Sequence, residues 1–170
     1  YEEMLELASL GAKVLQTRSV ELAMNYGVRL QVHSSFNDTP GTFVVDEDEI
    51  VEKKIVSGIA YSRDEAKITL RRVADRPGIA AAVFGPLADA NINVDMIVQN
   101  ISQSDKSTDL TFTVTRSHLE RAVAVLEKAR PEIDYEELKA DEDVTKVSVI
   151  GVGMRSHVGV AKRMFATLAE

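Results

Sequence analysis

The chain has 170 residues, 45% of them hydrophobic and 28% charged, a balance that allows a packed core and argues against general disorder. Its net charge of −7 disfavours a nucleic-acid partner, since backbone binding draws on clustered Lys and Arg. With no cysteine, disulfides, thiolate nucleophiles and zinc–thiolate sites are excluded; no apolar run has membrane-spanning length, and acidic Tyr1-Glu2-Glu3 does not open a signal peptide, so a reducing cytoplasm is the expected location.

Residues 1–10 read as a helix with Met4, Leu5 and Ala8 on one face, closed by Gly11. Residues 19–26 read as a second helix closed by Gly27, and 28–33 as a strand that runs into the turn-forming Asn37-Asp38-Thr39-Pro40-Gly41. Helix, helix and strand in so few residues suggest the last part of an α/β domain, over 1–45. Residues 46–54 are charged, lack an apolar face and suggest a linker, and 55–61 suggest a strand.

The stretch 55–143 carries a clearer pattern. A strand is expected over 66–73, then the loop Ala74-Asp75-Arg76-Pro77-Gly78, then a helix whose stripe is Ile79, Ala82, Val83, Leu87 and Ala90. Pro86 inside it predicts a kink, because an interior proline costs about 3 kcal/mol. Strands follow over 94–101 and 109–115, joined by a polar hairpin loop at 102–108. Ser117-His118-Leu119-Glu120 has the form of a capping box for a helix that buries Leu119, Ala122, Val123, Leu126 and Ala129 and stops at Pro131. A last strand is expected within 134–139. The order strand, helix, strand, strand, helix, strand predicts an α+β fold of the ferredoxin-like βαββαβ type.

The chain then begins again. Lys67-Ile68-Thr69-Leu70 returns as Lys146-Val147-Ser148-Val149, and Gly78-Ile79-Ala80 returns 81 positions on as Gly159-Val160-Ala161. A second unit is therefore expected from 144, and it breaks off at Glu170 before its next strand. With no initiator Met, this suggests a piece of a longer protein whose repeats bury their faces against one another.

Two places invite a small zwitterion. At Asp75-Arg76-Pro77-Gly78 a helix start offers main-chain N–H groups to a carboxylate, with Asp75 available for an ammonium; the alternative is an ordinary turn with an N-cap aspartate. At Gln99-Asn100-Ile101-Ser102 polar side chains end an apolar strand, either lining a pocket or entering a loop. Asp95 is placed for a second ammonium or for plain exposure. The acidic runs Asp46-Glu47-Asp48-Glu49 and Asp141-Glu142-Asp143 read as solvated loops rather than metal sites. Gly151-Val152-Gly153 has the wrong spacing for a dinucleotide fingerprint. His33, His118 and His157 are scattered, so no catalytic or metal-binding residues are expected.

Several segments carry a family resemblance. Glu6-Leu7-Ala8-Ser9-Leu10-Gly11-Ala12-Lys13-Val14-Leu15, Arg18-Ser19-Val20-Glu21 and Ser34-Ser35-Phe36-Asn37-Asp38 resemble the end of an aspartokinase catalytic domain. Asp75-Arg76-Pro77-Gly78, the run Asn91-Ile92-Asn93-Val94-Asp95-Met96-Ile97-Val98-Gln99-Asn100, and Thr108-Asp109-Leu110-Thr111-Phe112 resemble its tandem ACT regulatory domains. Gly151-Val152-Gly153-Met154 with Ser156-His157 resembles the opening of the second ACT unit. The nearest resemblance is to monofunctional aspartokinases regulated by lysine and threonine.

The resemblance implies a parent enzyme that phosphorylates the β-carboxylate of aspartate with Mg-ATP, in the route to lysine, threonine and methionine. Nucleotide- and substrate-binding residues would lie in its kinase portion, so this stretch is not expected to be catalytic and needs no cofactor. Position by position it implies an effector site of Asp75, Gly78, Ala80, Asp95, Gln99, Asn100, Ser102 and Thr111, taking lysine, threonine or both for feedback inhibition. Implied partners are the catalytic domain or subunit and further copies of the chain, paired through ACT units, with residues 55–61 lending a strand to the second. Two other readings stay open: a ligand-free dimerisation module, and the ACT tail of another amino-acid biosynthetic enzyme.

Overall fold

The structure, a computed structural model, describes residues 1–50, 55–101 and 107–170. The chain forms two compact units: Tyr1–Ser62 with Val147–Glu170, and Arg63–Lys146. The first opens with helices α1 (Glu2–Ser9) and α2 (Thr17–Asn25) and the short antiparallel pair β1 (Leu30–Val32) and β2 (Thr42–Val44). Val20, Ala23, Val44 and Tyr1 form its buried centre, with Met4 and Leu5 of α1 against them. The turn residues act as their chemistry suggests: Asn37 Oδ1 accepts from both the N–H and the hydroxyl of Thr39.

The second unit is built from most of β3 (Gly58–Ala74), α3 (Ile79–Asp89), β4 (Val94–Ile101), β5 (Ser107–Thr115), α4 (Leu119–Ile133) and most of β6 (Glu137–Ile150), the start of β3 and the end of β6 belonging to the first. The sheet order is β4-β5-β3-β6, and β5 runs antiparallel to both β3 and β4. That is the ferredoxin-like arrangement. Strand β5 shows why one face is covered: Thr108, Leu110, Phe112 and Val114 are buried, and the residues between them are not. Onto the buried face pack Val83 and Leu87 of α3 and Ala122, Leu126 and Ile133 of α4. Phe84 meets Phe112 edge to face, centroids 5.3 Å apart.

Two bulges shape this sheet. Pairing slips between Leu70 and Val73 on β3 and between Asp95 and Val98 on β4, and the residues with positive φ there are Arg72 and Met96. A carboxylate satisfies the main chain at each: Arg72 N–H donates to Asp109 Oδ1 (2.9 Å), and Met96 N–H donates to Asp95 Oδ1 (2.7 Å).

Several expectations are corrected. The strands expected at 55–61 and 66–73 are one strand, β3, beginning at Gly58. The last strand continues through the acidic run Asp141-Glu142-Asp143 and into the second copy, so no loop separates the repeats there. Charge pairing along the sheet explains this: Lys67 meets Asp141 at 3.5 Å, and Arg71 meets Glu137 at 3.1 Å. Helix α3 runs unbroken past Pro86, with Val83 and Leu87 fully buried on its inner face. Helix α4 likewise continues past Pro131 to buried Ile133 and ends at Asp134, whose φ is +57°. In both, core burial holds a turn that proline weakens. The capping box does not form, because Arg116–His118 make a 3-10 turn and α4 starts at Leu119 without a side-chain cap. Part of the expected linker (51–54) and of the hairpin loop (102–106) lies outside the described residues.

Helix α5 (Val160–Leu168) belongs to the first unit. Its N-cap Gly159 has φ +88° and ψ 0°, matching Gly78 at the start of α3 with φ +89° and ψ −6°. The repeat seen in the letters is thus a repeat of backbone geometry, at a conformation that favours glycine. No described helix is long and apolar enough to cross a membrane.

Candidate functional site

Sheet register decides which of the expected site residues meet. Asn100 sits opposite Asp109 and Ile101 opposite Thr108, and Thr108 in turn sits opposite Val73 of β3. The ends of β4 and β3 therefore share one end of the sheet. Gln99 and Asn100 lie there, as does the loop from Asp75 to Gly78. All four are exposed, and so is Ala80 in the first turn of α3. Ser102 lies outside the described residues.

The helix start is shaped by its glycine. Ile79 N–H donates to Arg76 O (3.2 Å) and Ala82 N–H to Gly78 O (3.1 Å), and no side chain caps the terminus. Asp75 is therefore not the N-cap, and its carboxylate is exposed beside the loop. A Cβ at Gly78 would meet nothing within 4 Å, so the approach to these amides is open. Such a terminus is suited to a carboxylate.

Thr111 and Asp95 stand elsewhere. Thr111 pairs with Thr69 and with Val98 along the middle of the sheet, and its hydroxyl shares a 3.0 Å hydrogen bond with Thr69 Oγ1. Asp95 sits opposite Thr113, towards the other end of β5. From the level of Thr108 to that of Thr113 is about 17 Å of strand, more than one amino acid spans. Within this unit, then, Asp95 and the Gly78 loop do not grip the same small molecule.

Asp95 already has an ammonium. Its Oδ2 accepts from Lys146 Nζ at 2.6 Å, and that ammonium also lies 3.2 Å from Glu65. The hydrogen bond from Lys146, with that from Met96 N–H, lowers the Asp95 carboxyl below its ordinary range. Burial pulls Lys146 downward, but hydrogen bonds to Asp95 and Glu65 outweigh it and leave its ammonium raised. Lys146 stands out in the sequence only as the start of the repeat and Glu65 not at all, and no local signal pairs either with Asp95: only the folded sheet brings Asp95 to a partner 51 positions away.

The remaining sequence candidates find local roles. Gly151 is packed against residues 55–56, where a Cβ would lie 2.3 Å from Ile55 O, and Val152–Arg155 form a 3-10 turn. Close packing accounts for that glycine. His33, His118 and His157 engage Thr39 O, Thr115 Oγ1 and Gly153 O respectively. Among the described residues no three His, Asp or Glu gather to hold a metal ion.

Comparison with known proteins bears on the fold and the family. Residues 68–131 and 147–170 each match a family model described as an ACT domain. An aspartate kinase of Pseudomonas fluorescens is 54% identical over 171 residues, covering all of this chain and 41% of that protein. The regulatory subunit of aspartate kinase from Thermus thermophilus, in its ligand-free form, is 39% identical, with a TM-score of 0.62 over 68% of this chain and 76% of that one. The chain belongs to the aspartokinase family. It is an aspartokinase regulatory region, and it spans about two fifths of the length of the curated aspartokinases it matches. An aspartate kinase from Clostridium acetobutylicum superposes with a TM-score of 0.86 over 99% of this chain and 39% of that one, at 16% identity, which speaks to the fold alone.

Proposed function

We propose that this aspartokinase regulatory region binds an end-product amino acid, lysine, threonine or both, and restrains a kinase that makes 4-phosphoaspartate from aspartate and Mg-ATP in the cytoplasm. The observation that carries the reading is the left-handed Gly78, which opens α3 with uncapped amides in open space beside Asp75. The amides take the α-carboxylate, and Asp75, Gln99 and Asn100 offer acceptors for the α-ammonium. Ala80 and Ser102 complete the proposed contacts, and Thr111, tied to Thr69 in the middle of the sheet, takes a signal-carrying part instead. Asp95 serves a different part of the sheet, where an arriving ammonium meets Lys146.

Nucleotide chemistry belongs to the kinase portion in this reading. The Gly151-Val152-Gly153 turn is closed by residues 55–56, which accounts for its first glycine by packing rather than by a phosphate. Pairing of ACT units between copies would assemble the sensor.

Calorimetry with lysine, threonine and the two together, on the protein carrying its complete second repeat, tests the proposal. Saturable heat with at least one is expected. At a hundredfold excess over Kd, mass action adds about 2.7 kcal/mol, raising Tm by roughly 5–10 °C. No heat and no shift would overturn the sensor reading and leave a ligand-free dimerisation module.

A further inference from the structure

In the first unit, helix α1 lies along the segment that leads into β3. Glu3 Oε1 accepts from the Ser57 hydroxyl at 2.7 Å. One helical turn on, Leu7 packs so closely on Gly58 that a Cβ there would lie 2.9 Å from Leu7 Cδ2. Past the helix end, a Cβ at Gly11 would lie 3.3 Å from Tyr61 O. Positions 3, 7 and 11 share one face at helical spacing, so a single edge of α1 follows residues 57–61.

The other side of that segment meets the start of the second repeat. Ser57 N–H donates to Ile150 O at 2.8 Å, and Ile55 O closes against Gly151. Glu3 reaches across this junction as well: the same Oε1 accepts from Val152 N–H at 2.8 Å. Val152 begins the 3-10 turn that leads towards Gly159 and α5. One carboxylate oxygen thus ties α1 to two stretches that are 54 and 149 positions from it in sequence.

We propose that Glu3 is the positioning residue that fastens α1 to the opening turn of the second repeat, so that a shift of that turn is felt by α1 through its carboxylate. The transmission half of this rests on the sensor reading above; the fastening half does not. Both donors meet one charged oxygen, so the turn cannot leave α1 without breaking the Val152 bond, and α1 cannot leave the junction without breaking both. Leu7 and Gly58 give the contact line a steric register but no such directional hold.

Hydrogen exchange and inhibition separate the two halves. In this chain, Glu3→Ala should speed exchange of the Val152 amide about tenfold, while Glu3→Gln, which keeps an acceptor oxygen, should change it only a few fold. Ser57→Ala, which leaves the Val152 bond, should protect that amide as before. In the longer protein with its kinase portion, Glu3→Ala should raise the effector concentration for half-inhibition about tenfold with kcat in its absence unchanged. Should Glu3→Ala not fold, Val152→Pro removes the donor from the other side; Gly151 before it is extended, as a residue preceding proline must be. Unchanged Val152 exchange in Glu3→Ala overturns the fastening. Wild-type inhibition in a folded Glu3→Ala or Val152→Pro protein that still binds the amino acid overturns the transmission. Absence of amino-acid binding by the unmutated protein overturns the sensor reading, and the exchange result then decides Glu3 alone.

Discussion

Asp95 shows how a motif residue acquires a role that its neighbours in sequence do not announce. Its carboxylate faces Met96 N–H on one oxygen and Lys146 on the other. The pH window follows from the two shifts. A lowered carboxyl pKa gives stability that is present above the unfolded value of about 4 and is lost as pH falls through the folded one. A raised ammonium pKa gives stability present below about 10.4 and lost as pH rises through the folded value. The pair therefore contributes between roughly pH 4 and pH 10. Lys146→Gln should lower stability within that window and leave it nearly unchanged in acid below it. It should also move the Asp95 carboxyl up towards its ordinary range, which carbon-detected NMR titration of that side chain reads directly. An Asp95 titration that is indifferent to the substitution would show that Lys146 does not hold it. Asp95 was legible as an acid on a strand; its partner was not, because pairing across a sheet leaves no spacing in the sequence.

At the scale of elements, apolar alternation was the reliable signal and charge the misleading one. Strand β5, with its buried Leu110, Phe112 and Val114, is where the alternation placed it. Strands β3 and β6 run longer than expected because their polar stretches pair by charge instead of by apolar burial. In the added stretches Glu65 of β3 meets Lys146 of β6 and Asp141 of β6 meets Lys67 of β3; within the expected strands Arg71 meets Glu137. The Lys67–Asp141 and Arg71–Glu137 pairs are about half exposed, so each is worth at most about 1 kcal/mol and is screened by salt. Asp141→Lys places two cations together on neighbouring strands and should cost about 0.5–1 kcal/mol in urea denaturation at low ionic strength. Most of that loss should vanish in about 1 M salt, where the screening length falls to about 3 Å. A loss that persists in salt would mean that Asp141 acts through shape rather than charge. The prolines carry the same lesson: Pro131 suggests a stop, yet α4 continues past it to wholly buried Ile133, and α3 continues past Pro86, where a kink is expected, to wholly buried Leu87.

At the scale of the whole molecule the repeat carries the sharpest agreement between sequence and structure. The letters Gly-Ile-Ala and Gly-Val-Ala, at 78 and 159, mark two helix starts whose glycines differ by 1° in φ and 6° in ψ. The order of elements in the second unit was equally legible, since each helix stripe and each β5 alternation reports its own burial. The grouping of Tyr1–Ser62 with Val147–Glu170 was not, because contacts such as that of Glu3 with Val152 join stretches too far apart for any local pattern to link. The paired glycines allow a direct test of how independent the two helix starts are. A Cβ at either position meets nothing within 4 Å, so alanine at each adds backbone strain and little else. Gly78→Ala and Gly159→Ala should each cost about 1–2 kcal/mol, the penalty of the left-handed region for a residue with a side chain. Sharing no neighbour and lying in different units, they should add within about 0.5 kcal/mol in the double variant. Under the sensor reading, a bulkier side chain at Gly78 separates function from stability. Gly78→Val should relieve amino-acid inhibition of the kinase without lowering its uninhibited turnover, because the side chain enters the open approach to the amides. Inhibition that survives Gly78→Val would remove this glycine from the effector site, whatever the stability measurements show.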